Sequence, residues 1–398
     1  MSYKIFRIKN LNFELVNNHK SNIKFKEAIE LIESQRFIYC DGFKRESENL
    51  GNICFETFSK IKSIQTLWAK ENFFSYSEKN WHDEILIEQI KVFRPDVLYF
   101  EDRLCFENQK PHELKTIFPF LKLIIVRNGN PSNLKNYEGI DALFVICDQL
   151  KRYYEKKNLK SFVVHHYFDS EISNIIKIEP KKYISFIGES GYLLGKEYQE
   201  RYFLLKKLIQ KFDINLFLKE KSYRHISKTF YDNIKKNVKV IRNYYFSKFL
   251  NLRKKKIFPV TSIQDHILTY KPIKKIFPKN VFDPIYGLEY YQKMQEFCLL
   301  INIHRQDVIA GNMRLFEASG LGVPQITNYN DELNTLFEKD HEILFYKNKQ
   351  ELFAKITEVK KNLKIYENIG LNAKKKIYQN HTTKIRLQEI DNLIRKLL

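Results

Sequence analysis

The strongest constraint on the fold is a rhythm that runs, breaks and starts again. DVLYFED (96–102), LKLIIVRNGN (121–130), IDALFVICD (140–148) and SFVVHHYFD (161–169) are short apolar runs closing on polar residues. Before and between them lie HDEILIEQIKVF (82–93), HELKTIFPF (112–120) and QLKRYYEKKN (149–158), which have helical spacing. Short buried strands alternating with helices predict a parallel α/β sheet with crossover connections. Such sheets place their working residues just beyond the strand C-termini. The pattern fails between Ser170 and Lys182, around Pro180, and restarts with YISFIGES (183–190), KEYQERYFLLKKLIQKF (196–212) and DINLFLKE (213–220). From Val281 it continues with LEYYQKMQEF, CLLINI, MRLFEASG, VPQIT and helices from about Lys349. Residues 1–80 predict only one or two strands and helices.

A chain of 398 residues with this interruption suggests two domains. Hydrophobic residues at 43% are ample for two cores and exclude a disordered chain. The formal charge of +21 draws polyanions, acidic lipids or phosphorylated ligands, unless Lys-rich codon usage supplies it. Residues 219–279 hold 17 Lys/Arg against 3 Asp/Glu, so 14 of the net 21 charges fall there. Within them Phe230, Ile234, Val238, Ile241, Tyr245, Phe249 and Leu252 follow helical spacing. Helix 230–252 is therefore expected either to meet an anionic membrane surface or to pack on its own domain. Five scattered cysteines form no CxxC pair and predict buried reduced thiols. The start MSYKIFRIKN lacks an apolar signal core, and no run is long enough to cross a bilayer. The expected location is cytoplasmic, with peripheral attachment to the inner face of the membrane as an option.

Glycine is scarce, 12 residues in all, so its placement is informative. Gly188-Glu189-Ser190-Gly191 follows a strand and precedes a helix, which suits either a phosphate against backbone N–H groups or an ordinary tight turn. In NIHRQDVIAGNMRLFEASGLGVP, Asn312 is a good N-cap for a helix beginning at Met313. Arg314 and Glu317 then share a face one turn apart. A cation near a helix N-terminus suits a diphosphate and a carboxylate one turn on suits a ribose diol; a plain salt bridge is the alternative.

FDPIYGLEYYQKM, LLINIHR, GNMRLFEASGLGVPQITNYNDEL, HEILFYKNKQEL and NHTTKIR occur in order between residues 282 and 386. Together they resemble the C-terminal half of the CgeB-like glycosyltransferases, a branch of the GT-B enzymes that use nucleotide sugars. The resemblance implies an α/β chain of two Rossmann-like domains, their parallel sheets facing across a cleft. Residues 1–170 would be the acceptor domain, 171–182 a linker and 183–382 the nucleotide-sugar domain, with the basic segment 219–279 inserted. Residues 383–398 would form a helix crossing back to the first domain. By position, Glu317 matches the ribose-binding glutamate, Arg314 the arginine of the MR-x-FE motif, and Gly188–Gly191 the loop opening the second domain. The glutamate that many retaining relatives carry eight residues before the ribose-binding one is Ile309 here, so retention of configuration is not implied.

Glycosyl transfer leaves a nucleoside diphosphate with growing negative charge, which arginine, backbone N–H groups or a metal must offset. No Asp-x-Asp metal motif occurs in the chain. Arg314, with the loop of Gly188, Ser190 and Gly191, with Asn312, and with Arg305, is the expected donor-binding set, and no metal or other cofactor is expected. An inverting reaction also needs a base, for which Asp102, Glu101 and His165 at first-domain strand ends are candidates. His304, after LLINI, is more suited to donor sugar or phosphate. Adjacent strand residues point to opposite faces, which argues against His165-His166 as a metal pair. The expected activity is sugar transfer to a glycan, lipid-linked or protein acceptor in bacterial surface glycan or glycoconjugate synthesis. Two other readings stand beside it. One is a nucleotide-sugar epimerase or processing enzyme; the other is a basic nucleic-acid-binding protein, for which no RRM, KH, zinc or helix-turn-helix signature speaks.

Overall fold

The computed structural model describes residues 2–10, 23–36, 40–101, 111–131, 137–192, 196–220, 271–304 and 311–398. The basic helix expected at 230–252 lies outside these residues. The chain divides into two compact units, residues 1–182 with 286–398, and residues 183–285.

In the larger unit the first half runs β1 (Lys4–Lys9), α1 (Phe25–Ser34), α2 (Gly42–Asn49), β2 (Ile53–Phe58), α3 (Lys62–Glu71), α4 (Trp81–Phe93), β3 (Val97–Phe100), α5 (Pro111–Ile117), β4 (Leu123–Asn128), β5 (Ala142–Val145), α6 (Asp148–Glu155) and β6 (Ser161–Val163). The strands pair in the order β2-β1-β3-β4-β5-β6, all parallel. The strand order reverses at β1 and β3, and the C-terminal ends of these two strands are where such sheets carry their sites.

Alternation along β1 explains how the sheet is buried on both faces. Phe6 and Ile8 join Leu98, Phe100, Ile124 and Val126 in one apolar cluster that includes Leu86 and Ile90 of α4. Tyr3 and Ile5 join Val97, Tyr99, Ile125 and Phe144 in the cluster on the opposite face. Arg7 and Lys9 extend that second face toward the strand's C-terminal end, where it becomes charged.

After the short helix α7 (Ile172–Ile175), the smaller unit runs β7 (Tyr183–Glu189), α8 (Lys196–Lys211), β8 (Asn215–Lys219), α9 (Ile273–Ile276) and β9 (Val281–Phe282). The larger unit resumes with α10 (Gly287–Met294), β10 (Phe297–Asn302), α11 (Met313–Gly320), β11 (Gln325–Asn328), α12 (Asp331–Leu336), β12 (Leu344–Tyr346), α13 (Lys349–Lys361), α14 (Leu363–Asn380) and α15 (Thr383–Leu397). Within the larger unit the second set of strands pairs in the order β12-β11-β10, and within the smaller unit in the order β7-β8-β9, both parallel.

The last helix, α15, packs on the first sheet rather than the second. Leu387, Ile390 and Ile394, spaced three and four apart, enter the Tyr3–Ile5 cluster. Asp391 on the same stripe is buried, but Tyr3 Oη donates to it at 2.8 Å, Asn52 Nδ2 at 2.7 Å and Arg395 Nε at 2.6 Å. A buried carboxylate with three donors is satisfied. Just before this helix, Phe168 N donates to His381 O at 2.9 Å and Thr383 N to Phe168 O at 3.0 Å. Phe168 lies so close to Gly320 that a Cβ there would stand 2.3 Å from its ring. Only glycine fits at the end of α11.

No helix among the described residues is long and apolar enough to cross a membrane.

Candidate functional site

The site is built around α11. Asn312 adopts an extended backbone (φ −78°, ψ 167°), and its Oδ1 accepts from Leu315 N at 3.0 Å, as the sequence predicts for an N-cap. Asn302, the last residue of β10, is fully buried. Its Oδ1 accepts from Asn312 Nδ2 at 2.9 Å and from Arg314 Nη1 at 3.3 Å. Gln325 at the start of β11 donates to Leu315 O and Ser319 Oγ, both at 2.9 Å. This amide network fixes the helix to the strand ends and holds Arg314 one residue inside the helix N-terminus, half-buried.

Glu317 sits one turn further on and is 8% exposed. Two neighbouring tyrosines of α10 close on it: Tyr290 Oη donates to Oε2 at 2.8 Å and Tyr291 Oη to Oε1 at 2.9 Å. Burial raises the Glu317 carboxyl above the ordinary carboxylate value, against the two phenols and Arg314. Burial and then Glu317 push both tyrosines well above their usual range, so they remain donors. Each carboxylate oxygen keeps a further acceptor position beyond its tyrosine bond. The sequence pattern does not single out Tyr290 and Tyr291; LEYYQKM registers only as a helix. Whether two adjacent helical side chains converge on one carboxylate is set by how α10 crosses α11.

The other expected residues are distributed as follows. Asn312, Arg314 and Glu317 share α11. His304 follows β10, is buried, and its backbone N–H donates to Asn328 Oδ1 at 2.8 Å. Asp102 and Arg305 lie outside the described residues. Gly188 and Gly191 belong to the smaller unit, with φ of 146° and 85°, conformations that favour glycine. Between them Ser190 Oγ accepts from Tyr192 N at 3.1 Å, forming a tight turn. Glu101 is not a free base: it is buried against Arg7, whose Nη2 reaches its Oε1 at 2.6 Å.

His165 Nδ1 is 3.0 Å from Ile146 O. A carbonyl can only accept, so the ring's proton is on Nδ1 and Nε2 carries the lone pair. Burial and then Arg386 hold His165 below the usual imidazole value, so the lone pair persists at neutral pH. One expectation needs correction here. β6 ends at Val163, so His165 and His166 follow the strand and strand alternation does not set their directions. Their neighbours do. The His165 ring lies 6.3 Å from that of His381, and the His166 ring 6.0 Å from that of Phe316 in α11.

Among the described residues, one group of three could offer ligand atoms to a metal ion: Cys40, Asp41 and Asp169. Its chemistry does not suit a cation. Arg36 Nη1 is 3.0 Å from Asp169 Oδ2, Arg45 Nη1 is 2.9 Å from Asp41 Oδ2 and Arg45 Nη2 is 3.2 Å from Asp169 Oδ1. Burial, then Asp169, pushes the Cys40 thiol up to about 12, leaving it neutral. The carboxylates already hold guanidinium counter-ions.

Comparison with known proteins bears on the fold. Residues 267–392 match the model of a family described as glycosyl transferase-like, a stretch that contains α10, α11 and most of α15. The whole chain is similar in fold to a glycosyltransferase from Rickettsia africae, at 12% identity and a TM-score of 0.54, covering 100% of this chain and 98% of that one. It is similar to Anabaena HepE in complex with UDP-glucose at 10% identity and a TM-score of 0.56, covering 99% and 100%. Sucrose-phosphate synthase from Thermosynechococcus elongatus gives 9% identity and a TM-score of 0.52, covering 99% of each chain. No curated protein matches the sequence. The fold is GT-B, and residues 267–392 match the glycosyl transferase-like family model.

Proposed function

We propose that this protein is a glycosyltransferase of the CgeB-like branch. It moves a sugar from a nucleoside-diphosphate sugar to a hydroxyl of a glycan, lipid-linked or protein acceptor. The observation that carries this reading is Glu317, an inward carboxylate set by two tyrosines on the helix that also presents Arg314. An ionised carboxylate with open acceptor positions takes both hydrogens of a ribose diol. Arg314, held by Asn302 near the helix N-terminus, meets the diphosphate one turn away. The acceptor oxygen attacks the anomeric carbon and its proton passes to a base. The bond from that carbon to the phosphate oxygen breaks, and the nucleoside diphosphate leaves with the electron pair. Among the candidate bases, the lone pair on His165 Nε2 favours His165. The excess charge of residues 219–279 supports an anionic acceptor or membrane surface, on the cytoplasmic side in the surface-glycan role.

The complex of HepE with UDP-glucose makes UDP-sugars the first donors to test. A thermal-shift screen of UDP, GDP, dTDP and CMP sugars should show selective stabilisation by one of them; no response to any would remove the reading. Arg314→Ala should lower kcat by roughly 10²–10³ with a small change in donor KM, because the guanidinium acts on charge that develops only in the transition state. Retained turnover would reduce Arg314 to its bond with Asn302. We further propose that this charge is offset without a bound metal. Treatment with EDTA should then leave the rate unchanged, and a loss restored by Mg²⁺ or Mn²⁺ would refute it.

A further inference from the structure

A second constellation adjoins α11 through Phe316. The end of β4, the segment after β6 and the start of α15 bring together Arg127, His166, His381 and Arg386. Arg127 Nη2 lies 3.3 Å from His166 Nδ1, and Arg386 Nη2 lies 2.8 Å from His381 Nδ1. A guanidinium only donates, so both Nδ1 atoms are acceptors and both rings are neutral with their proton on Nε2. Burial and the neighbouring arginines keep them so, lowering His166 well below the imidazole value and His381 to about 3. Phe316 ties the set to α11, its ring 5.3 Å from His381 and 6.0 Å from His166.

Arg386 provides the independent sign of a missing partner. It is 3% exposed, and its Nε is buried with no hydrogen bond. An unmet donor on a buried cation is costly. Its counter-ion, Glu389, is itself 41% exposed at the side chain. Arg127, His165 and His166 are only half-buried, unlike Arg386 and His381. Arg127 Nη1 also stands 3.5 Å from Glu101 Oε2, and Arg386 pairs with Glu389, but the groups the cluster itself presents, two guanidiniums and two imidazole Nε2–H, are donors. The complementary ligand is an oxyanion.

We propose that Arg127, His166, His381 and Arg386 form a receptor for a carboxylate or phosphate carried by the acceptor, presenting the acceptor hydroxyl near His165. Assigning the oxyanion to the acceptor rests on the glycosyltransferase reading; the receptor itself does not. The substrate class is thereby an acidic acceptor, a uronate-bearing or phosphate-bearing glycan.

The test is titration of the full chain, labelled at histidine nitrogens, with glucuronate and separately with inorganic phosphate, read by NMR. Saturable shifts of the His166 and His381 signals are expected. Arg127→Gln and His166→Gln, both at half-buried positions, should each weaken the effect roughly tenfold or more. Arg386→Lys, which keeps the charge but removes Nε, should weaken it as well. Absence of shifts up to about 10 mM of either probe, weaker than most specific sites, overturns the receptor. Equal shifts in the variants do the same. Saturating UDP should leave glucuronate affinity unchanged; competition would assign the cluster to the donor's diphosphate and overturn the acceptor assignment. UDP binding measured by calorimetry on the same samples separates the two ideas. UDP bound without any oxyanion response sinks the receptor alone, whereas an oxyanion response without binding of any nucleotide sinks the transferase reading alone.

Discussion

Glu317→Ala should weaken nucleotide binding by a factor on the order of 10² or more, measured by calorimetry. The two hydrogen bonds from a ribose diol to a carboxylate are charge-assisted, each worth roughly 1.5–3 kcal/mol. Alanine also strands the Tyr290 and Tyr291 hydroxyls, which costs stability of about 1–3 kcal/mol for each that finds no water. Glu317→Gln separates these effects. Its carbonyl and amide still satisfy the tyrosines, so the fold should be kept, while the negative charge that strengthens the diol contact is lost. Unchanged affinity in a folded Glu317→Gln protein would remove the ribose role. The pH dependence has a definite sign. Diol binding needs the ionised carboxyl, and burial has raised its pKa above the ordinary glutamate value. Affinity should therefore be greatest where the carboxyl is ionised. It should be lost on acidification at a higher pH than an exposed glutamate would show, and Glu317→Gln should flatten that profile.

Lys9→Met should destabilise the larger unit by about 3–5 kcal/mol, the cost of removing one partner from a buried ion pair. Lys9 is fully buried at the C-terminal end of β1 and holds Glu33 as well as Glu56, the latter at 2.9 Å. From there charges alternate across the strand ends. Glu56 Oε1 meets Arg7 Nη1 at 2.6 Å, Arg7 meets Glu101, and Arg127 Nη1 stands 3.5 Å from Glu101 Oε2. Burial raises Glu56, but Lys9 and Arg7 outweigh it and hold its carboxyl below the ordinary value. Glu56 thus contributes stability that is present above the unfolded carboxylate pKa and lost as pH falls through its lowered folded one. Burial lowers Lys9, but Glu56 and Glu33 outweigh it and raise it above the ordinary lysine value. Its contribution is present below the unfolded lysine pKa and lost as pH rises through the raised one. Without Lys9, Glu33 and Glu56 face each other with less compensation, and their folded pKa values must rise. The deficit in urea unfolding should therefore grow as pH increases from about 5 to 8. A loss below about 1 kcal/mol, or one independent of pH, would mean that water already screens the pair.

Strands β3 to β8, β10 and β11 are legible because each is a short, mostly apolar run that is largely buried. Burial of that kind leaves a mark at every position. The N-cap at Asn312 is legible because capping is local chemistry between residues three apart. KIFRIK is different. Arg7 and Lys9 resemble the solvent-facing half of an amphipathic strand, and nothing within 20 residues names their partners. Glu33, Glu56 and Glu101 come from α1, β2 and the end of β3, brought together only when the sheet is assembled. The same holds for Glu317: its place on α11 follows from the helix period, but its two tyrosine partners lie 26 and 27 residues earlier.

The sequence by itself determined the alternation of strands and helices, the interruption near Pro180, and the helix that carries Arg314 and Glu317. These depend on backbone periodicity and on contacts between near neighbours in the chain. Only the tertiary structure decided that Tyr290 and Tyr291 close on Glu317, and that Arg127 and Arg386 each fix a histidine tautomer. Those outcomes depend on which buried polar atoms must be satisfied once distant segments have packed, and a linear pattern does not encode that pairing.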